Sequence, residues 1–343
     1  MKKHICYTLC LCIVMLSFAS CGKRSDKGGN TGDAVLPQTT SQGKTDRTET
    51  PSVTELAPQI NSSTVVDDEN MQTDYPVDRE SLVIYGEGNA SAPSGYSPLP
   101  PVSFAASENT KGLSTTKKSH SHGPASDGKP HHTVVAFQKE FEKYSAVTLD
   151  TKSHEKTLYL TFDCGYEHDN LTADVLDTLK EKNVPAAFFC TLDHIEKEQQ
   201  LISRMIKEGH IVGNHSTTHP SFAEIDRTEM AEEIEETENY LRENFGYSSR
   251  FFRFPKGEYN DSALDLVASL GYVSVFWSVA YNDWNTDNIQ GKDYAVETVM
   301  SRLHDGAVIL LHSVSKDNAE ALPEIIDKAR AQGYVFKSLT ELK

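Results

Sequence analysis

From about residue 130 onward, short apolar runs alternate with amphipathic stretches, a rhythm nearly absent earlier in the chain. The runs are TLYLTFD, AAFFCT, HIVGNHS, RFFRFP, YVSVFWSV, AVILLH and YVFKSL. Between them, LTADVLDTLKEK, IDRTEMAEEIEETENYLRENF and AEALPEIIDKARAQ carry helical spacing. Near-continuous apolar strands separated by helices predict a parallel sheet covered on its outside. Seven such strands in roughly two hundred residues predict an α/β fold, a closed or nearly closed (β/α) barrel.

The first 21 residues, MKKHICYTLCLCIVMLSFASC, place Lys2 and Lys3 before an apolar core and small residues before Cys21, a secretory signal pattern. The core is too short for a permanent bilayer span. Phe18-Ala19-Ser20-Cys21 resembles a bacterial lipoprotein cleavage box, which implies a lipid on Cys21 and an exported protein anchored on the outer side of the cytoplasmic membrane. Ordinary cleavage and an uncleaved anchor are the alternatives. Residues 22–135 are rich in Ser, Thr, Gly and Pro, with too few apolar residues to offset the entropy of ordering, and are expected to form a disordered linker. Residues 119–124, SHSHGP, and the pair His131-His132 offer metal ligands, although a flexible His-bearing linker is the plainer reading. The folded domain is expected over 136–343.

A net charge of −17 repels nucleic-acid phosphates and argues against such a partner. Of six cysteines, four (Cys6, Cys10, Cys12 and Cys21) fall in the leader, leaving Cys164 and Cys190 in the folded part and no disulfide framework.

Barrels of this kind gather their chemistry where strands end. Asp163 ends the first strand, NHSTTH follows the third, RFPKG ends the fourth, Asp283-Trp284 lies past the fifth and His312 ends the sixth, so all would share one rim. The HxxxH spacing of His215 and His219 is expected to set both imidazoles on one face of a helical turn, where they can share a cation. Alone, such a pair is more often solvated or a helix cap. A buried Asp163 needs a cation to offset desolvation, and Arg253 is the candidate. That pair is either a structural salt bridge or a general base aimed by a guanidinium. His312 is either a satisfied core side chain or, opposite a base and two ligands, a proton donor for a leaving amine.

TFDCG, NHSTTH, RFPKG, the segment ending NDW and ILLH, in this order, resemble the five motifs of the polysaccharide deacetylases of carbohydrate esterase family 4, the NodB-homology domain. The resemblance covers nearly all of the folded region and implies a distorted seven-stranded (β/α) barrel. It also implies metal-dependent de-N-acetylation of a sugar in a polymer, with zinc as the expected ion. Carried over by position, Asp163 is the base, His215 and His219 are metal ligands, Arg253 orients the base and His312 is the acid. Trp284 is a groove wall and Leu310 shapes a pocket for the acetyl methyl. GYEH, FWSVAYNDW, HSVSKDNAEAL and QGYVFKSL are similar to the muramic acid deacetylases that prepare δ-lactam in spore cortex peptidoglycan. That implies peptidoglycan glycan strands as the partner, with Tyr166 and Glu167 as candidates for substrate contact, and a monomer is expected. Deacetylation of N-acetylglucosamine, and a non-catalytic wall-binding module, are the alternatives.

The chain departs from the family pattern at Cys164, where the usual residue is a second, metal-ligating aspartate. Cys164 is either a thiolate ligand beside the two imidazoles, a small neutral filler, or half of a disulfide with Cys190. Ala280 replaces another acid, leaving Asp283 to assist either Arg253 or His312. Ser313 stands where many relatives carry aspartate.

Overall fold

The computed structural model describes residues 82–85, 101–153 and 155–342. The leader, Cys21 and most of the expected linker lie outside the described residues. In chain order the elements are β1 (Val83–Tyr85), β2 (Lys118–Ser119), α1 (His132–Phe141), β3 (Ala146–Val147), β4 (Thr157–Cys164), α2 (Leu171–Lys182), β5 (Ala186–Cys190), α3 (Leu192–Lys197), α4 (Gln199–Lys207) and β6 (Ile211–Asn214). There follow α5 (Arg227–Phe245), β7 (Tyr247–Ser249), β8 (Phe251–Phe252), β9 (Glu258–Tyr259), α6 (Asp261–Ser269), β10 (Val273–Val275), α7 (Lys292–Ser301), β11 (Ala307–His312), α8 (Lys316–Ala331) and β12 (Val335–Phe336).

The main sheet runs β11-β4-β5-β6-β8-β10-β3, with β12 on β4, and every pairing in it is parallel. Single bridges from Leu149 to Ala307 and from Val279 to Ile309 bring its two sides together, so the sheet curls into a distorted barrel. All seven expected strands take part, and β3 joins them without having carried an apolar run long enough to be noticed.

Strand alternation sorts the core into two layers. On β4, Leu158, Leu160, Phe162 and Cys164 face outward into a cluster with Val175, Leu176 and Leu179 of α2 and Leu322, Ile325 and Ile326 of α8. Tyr159 faces the other way, where Ala187, Phe189, Ile211, Phe251, Val275 and Val308 fill the barrel. The same alternation points Thr161 and Asp163 inward. At the outer helices, α5 starts on a capping box between Asp226 and Glu229 and stops at Gly246 in the left-handed region.

Ordered chain begins earlier than residue 136. Phe104 and His120 are buried, and β2 pairs antiparallel with β9. His120 Nε2 lies 2.7 Å from the Trp277 carbonyl oxygen, and His122 Nε2 lies 2.8 Å from that of Ala280. Residues 101–135, expected as linker, therefore belong to the fold. Single aromatic and histidine side chains anchor them without any periodic pattern.

Candidate active site

The carboxyl ends of β4, β6, β8 and β11 meet at one rim. Asp163, the penultimate residue of β4, lies in register with His312, the last of β11. Arg253, one residue past β8, is fully buried. Its Nη1 donates to Asp163 Oδ1 at 2.7 Å, its Nη2 to Thr161 Oγ1 at 2.9 Å and its Nε to the Val275 carbonyl at 2.9 Å. Its guanidinium also stacks 4.1 Å from the centre of the Phe189 ring. Gly213 makes this packing possible, because a Cβ there would come within 2.6 Å of Phe189. Burial alone would raise the Asp163 pKa, but Arg253 foremost, with His215 and His312, outweighs it and holds the carboxyl below its ordinary range.

His215 follows β6, and its Nδ1 donates to the Arg253 carbonyl at 2.8 Å. That bond leaves Nε2 facing the site, 3.5 Å from Asp163 Oδ2. The His219 ring stands edge-on to it with centroids 4.8 Å apart. Burial lowers the pKa of both imidazoles, that of His219 to about 4, so both offer lone pairs at neutral pH. Two neutral imidazoles with their rings against each other are donors that suit a divalent cation. The pair does not sit on a helical turn: residues 215–220 are loop, with Ser216 and His219 at φ 69° and 59°. Left-handed backbone, rather than helical periodicity, folds the second ring back onto the first.

On the far side, Asp283 accepts from His312 Nδ1 at 2.7 Å and from the His312 backbone N–H at 2.8 Å. Asn318 Nδ2 donates to the same carboxylate at 2.5 Å, and Tyr281 holds the Asn318 carbonyl oxygen. Burial pulls the His312 pKa down, but Asp283 and, more weakly, Asp163 raise it above the ordinary histidine value. Trp284 is 53% exposed, its ring 5.8 Å from that of His312. Leu310 is buried one rung below His312 on the same strand face and in register with Thr161.

A family model for polysaccharide deacetylases matches residues 150–275. The peptidoglycan-N-acetylmuramic acid deacetylase PdaA of Bacillus subtilis is 40% identical over 227 residues, spanning 66% of this chain and 83% of that protein. The chain belongs to the polysaccharide deacetylase family. An uncharacterised 30.6 kDa protein of Geobacillus stearothermophilus is 39% identical over the same length, 66% of this chain and 83% of its own. The solved structure of PdaA, described as a family 4 carbohydrate esterase, superposes with a TM-score of 0.64 at 37% identity, covering 67% of this chain and 98% of the other. Deacetylases of this family hydrolyse N-acetyl amide bonds and are metalloenzymes.

Within this polysaccharide deacetylase, the five motifs expected to converge do so, and Asp283 serves His312 rather than Arg253. Cys164 does not join the histidine pair. Because β4 keeps its pleat through residue 164, that side chain turns outward, where its sulfur lies 3.3 Å from Ser313 Oγ and beside Cys190 and His194. Cys164 and Cys190 are free thiols, not a disulfide. Glu167 Oε1 accepts from the Thr172 N–H at 3.1 Å and so caps α2, where Asn170 provides no side-chain cap. Tyr166 is exposed. The roles of Thr161, Tyr281 and Asn318 leave no mark in the sequence pattern. The first reads as an ordinary strand residue, and the other two act 35 to 37 positions away in sequence.

Proposed function

We propose that this polysaccharide deacetylase removes the acetyl group from N-acetylmuramic acid in peptidoglycan glycan strands. The observation that carries the reading is two charged pairs on one rim, with Asp163 and His312 in register: Asp163 bound by Arg253 at 2.7 Å, which lowers its pKa, and His312 bound by Asp283 at 2.7 Å, which raises its pKa.

His215 and His219 would hold zinc, which when bound supplies Lewis acidity toward the acetyl carbonyl and toward water. Asp163 accepts the proton of the attacking water as its oxygen bonds to the carbonyl carbon. The Arg253 guanidinium fixes the carboxylate so that its second oxygen faces the reacting atoms. His312, tied through Nδ1 to Asp283, presents Nε2–H and gives that proton to the amide nitrogen as the C–N bond breaks. Acetate and a free amine leave. The exposed Trp284 gives the sugar ring a wall to rest against, and Leu310 closes the floor beside the acetyl methyl.

Muramic acid is favoured over N-acetylglucosamine by the 40% identity to a protein named for muramic acid deacetylation. The amine so produced can then close onto the lactyl carboxyl as δ-lactam, a use suited to spore cortex. Export and a lipid on Cys21, as the leader pattern implies, would hold the enzyme beside the wall as a monomer. Incubation with denuded glycan strands, intact peptidoglycan and N-acetylglucosamine oligomers tests the substrate. Acetate with mass loss on muramic residues is the expected result, whereas turnover of the glucosamine oligomers alone would replace the reading.

A further inference from the structure

Behind the candidate active site lies a second group of metal-ligating side chains that the deacetylation chemistry does not use. Cys164 and Cys190 are the last residues of neighbouring parallel strands and sit opposite each other in register. His194 follows four residues after Cys190, in the first turn of α3. Each of the three offers a ligand atom, and these atoms all lie within 4.8 Å of one another. All three side chains are fully buried.

His194 is the independent sign that something is held there. Neither ring nitrogen has a hydrogen-bond partner among the described residues, although the residue is 0% exposed. Buried polar atoms are normally satisfied, and an imidazole with two orphaned nitrogens is out of place in an apolar cluster. Burial also holds its pKa down to about 4, which leaves a neutral ring with a free lone pair.

We infer that Cys164, Cys190 and His194 form a buried site for a thiolate-binding divalent cation of the zinc class, separate from the His215–His219 pair. Two thiolates, one imidazole and one dication sum to zero charge, which suits the surrounding hydrophobic cluster. Binding releases the two thiol protons to solvent. Tetrahedral zinc with bonds of about 2.0 to 2.3 Å needs ligand atoms roughly 3.5 to 3.8 Å apart, so the group contracts by about 1.3 Å at most. Ser313 Oγ, 3.3 Å from the Cys164 sulfur, supplies a hydroxyl on that side.

The site would brace the chemistry from behind. The His215 N–H donates to the Cys190 carbonyl at 3.1 Å, and the Thr191 N–H to the Cys164 carbonyl at 3.1 Å. Asp163 and His312 directly precede Cys164 and Ser313.

Cobalt loading of the full chain tests this, because thiolate ligation gives an intense near-ultraviolet charge-transfer band that imidazole and carboxylate ligands lack. The band is expected in the wild type, is expected to persist in the His215→Ala/His219→Ala double variant, and is expected to be lost in Cys190→Ser. The last comparison also sets aside the four leader cysteines. Should Cys190→Ser not fold, zinc X-ray absorption of the double-histidine variant decides. A sulfur shell at about 2.3 Å that contains both folded-domain thiols, identified by an alkylation protection that is lost when the metal is chelated, supports the site. Absence of sulfur overturns it. So does a Cys164–Cys190 disulfide found by mass spectrometry, or a band that survives Cys190→Ser and vanishes in the double-histidine variant.

Discussion

Asp283 grips His312 twice, accepting from its ring Nδ1 at 2.7 Å and from its backbone N–H at 2.8 Å. Ring orientation, tautomer and charge are thereby set by a single carboxylate, and the second nitrogen is left to face the substrate.

That relationship has a pH signature. The His312 pKa is raised, so the protonated acid persists to higher pH than an ordinary imidazole near 6.5. Activity is expected to fall as pH rises through the raised value. In Asp283→Asn the burial penalty is no longer opposed by the neighbouring charge, so the alkaline limb of the kcat/KM profile should move to lower pH. The stabilisation from the pair has the same sign: it is present below the unfolded pKa and lost as pH rises through the folded one.

His312→Ala and Asp163→Asn each remove one proton transfer. Either change is expected to lower kcat by about 10²- to 10⁴-fold while far-ultraviolet circular dichroism stays at the wild-type level.

Arg253→Met leaves the Asp163 carboxylate largely buried without its main counter-charge. Denaturant titration should register a loss of roughly 3–5 kcal/mol. The acid limb of any residual activity should move to higher pH, because the carboxyl is no longer held down.

Gly213→Ala would drive a methyl against Phe189, the ring on which Arg253 stacks. Overpacking of this kind costs about 1–3 kcal/mol. Thermal unfolding would record that cost, and turnover should fall with it as the guanidinium shifts.

The apolar runs made the sheet legible because β4, β5, β6, β10 and β11 bury both faces along nearly their whole length, and the rim was legible because its polar residues recur at strand ends. Other parts leave no such trace. His219 reaches His215 through two left-handed residues, a geometry that the HxxxH spacing does not encode. Cys164 turns away from the histidines because β4 keeps its pleat one residue further than a loop ligand would need. Asn318 reaches Asp283 from 35 positions away, Tyr281 fixes Asn318 across 37, and His120 binds the Trp277 carbonyl from 157 positions away. Contacts of that range are written in no local pattern.

Acetate release from denuded glycan strands, measured with zinc-loaded protein, after chelation, and after zinc is restored, tests the central claim most directly. Release from muramic residues by the loaded enzyme is expected, lost on chelation, recovered with zinc and reduced at least a hundredfold in Asp163→Asn. Full release that survives both chelation and the Asp163 substitution would contradict it.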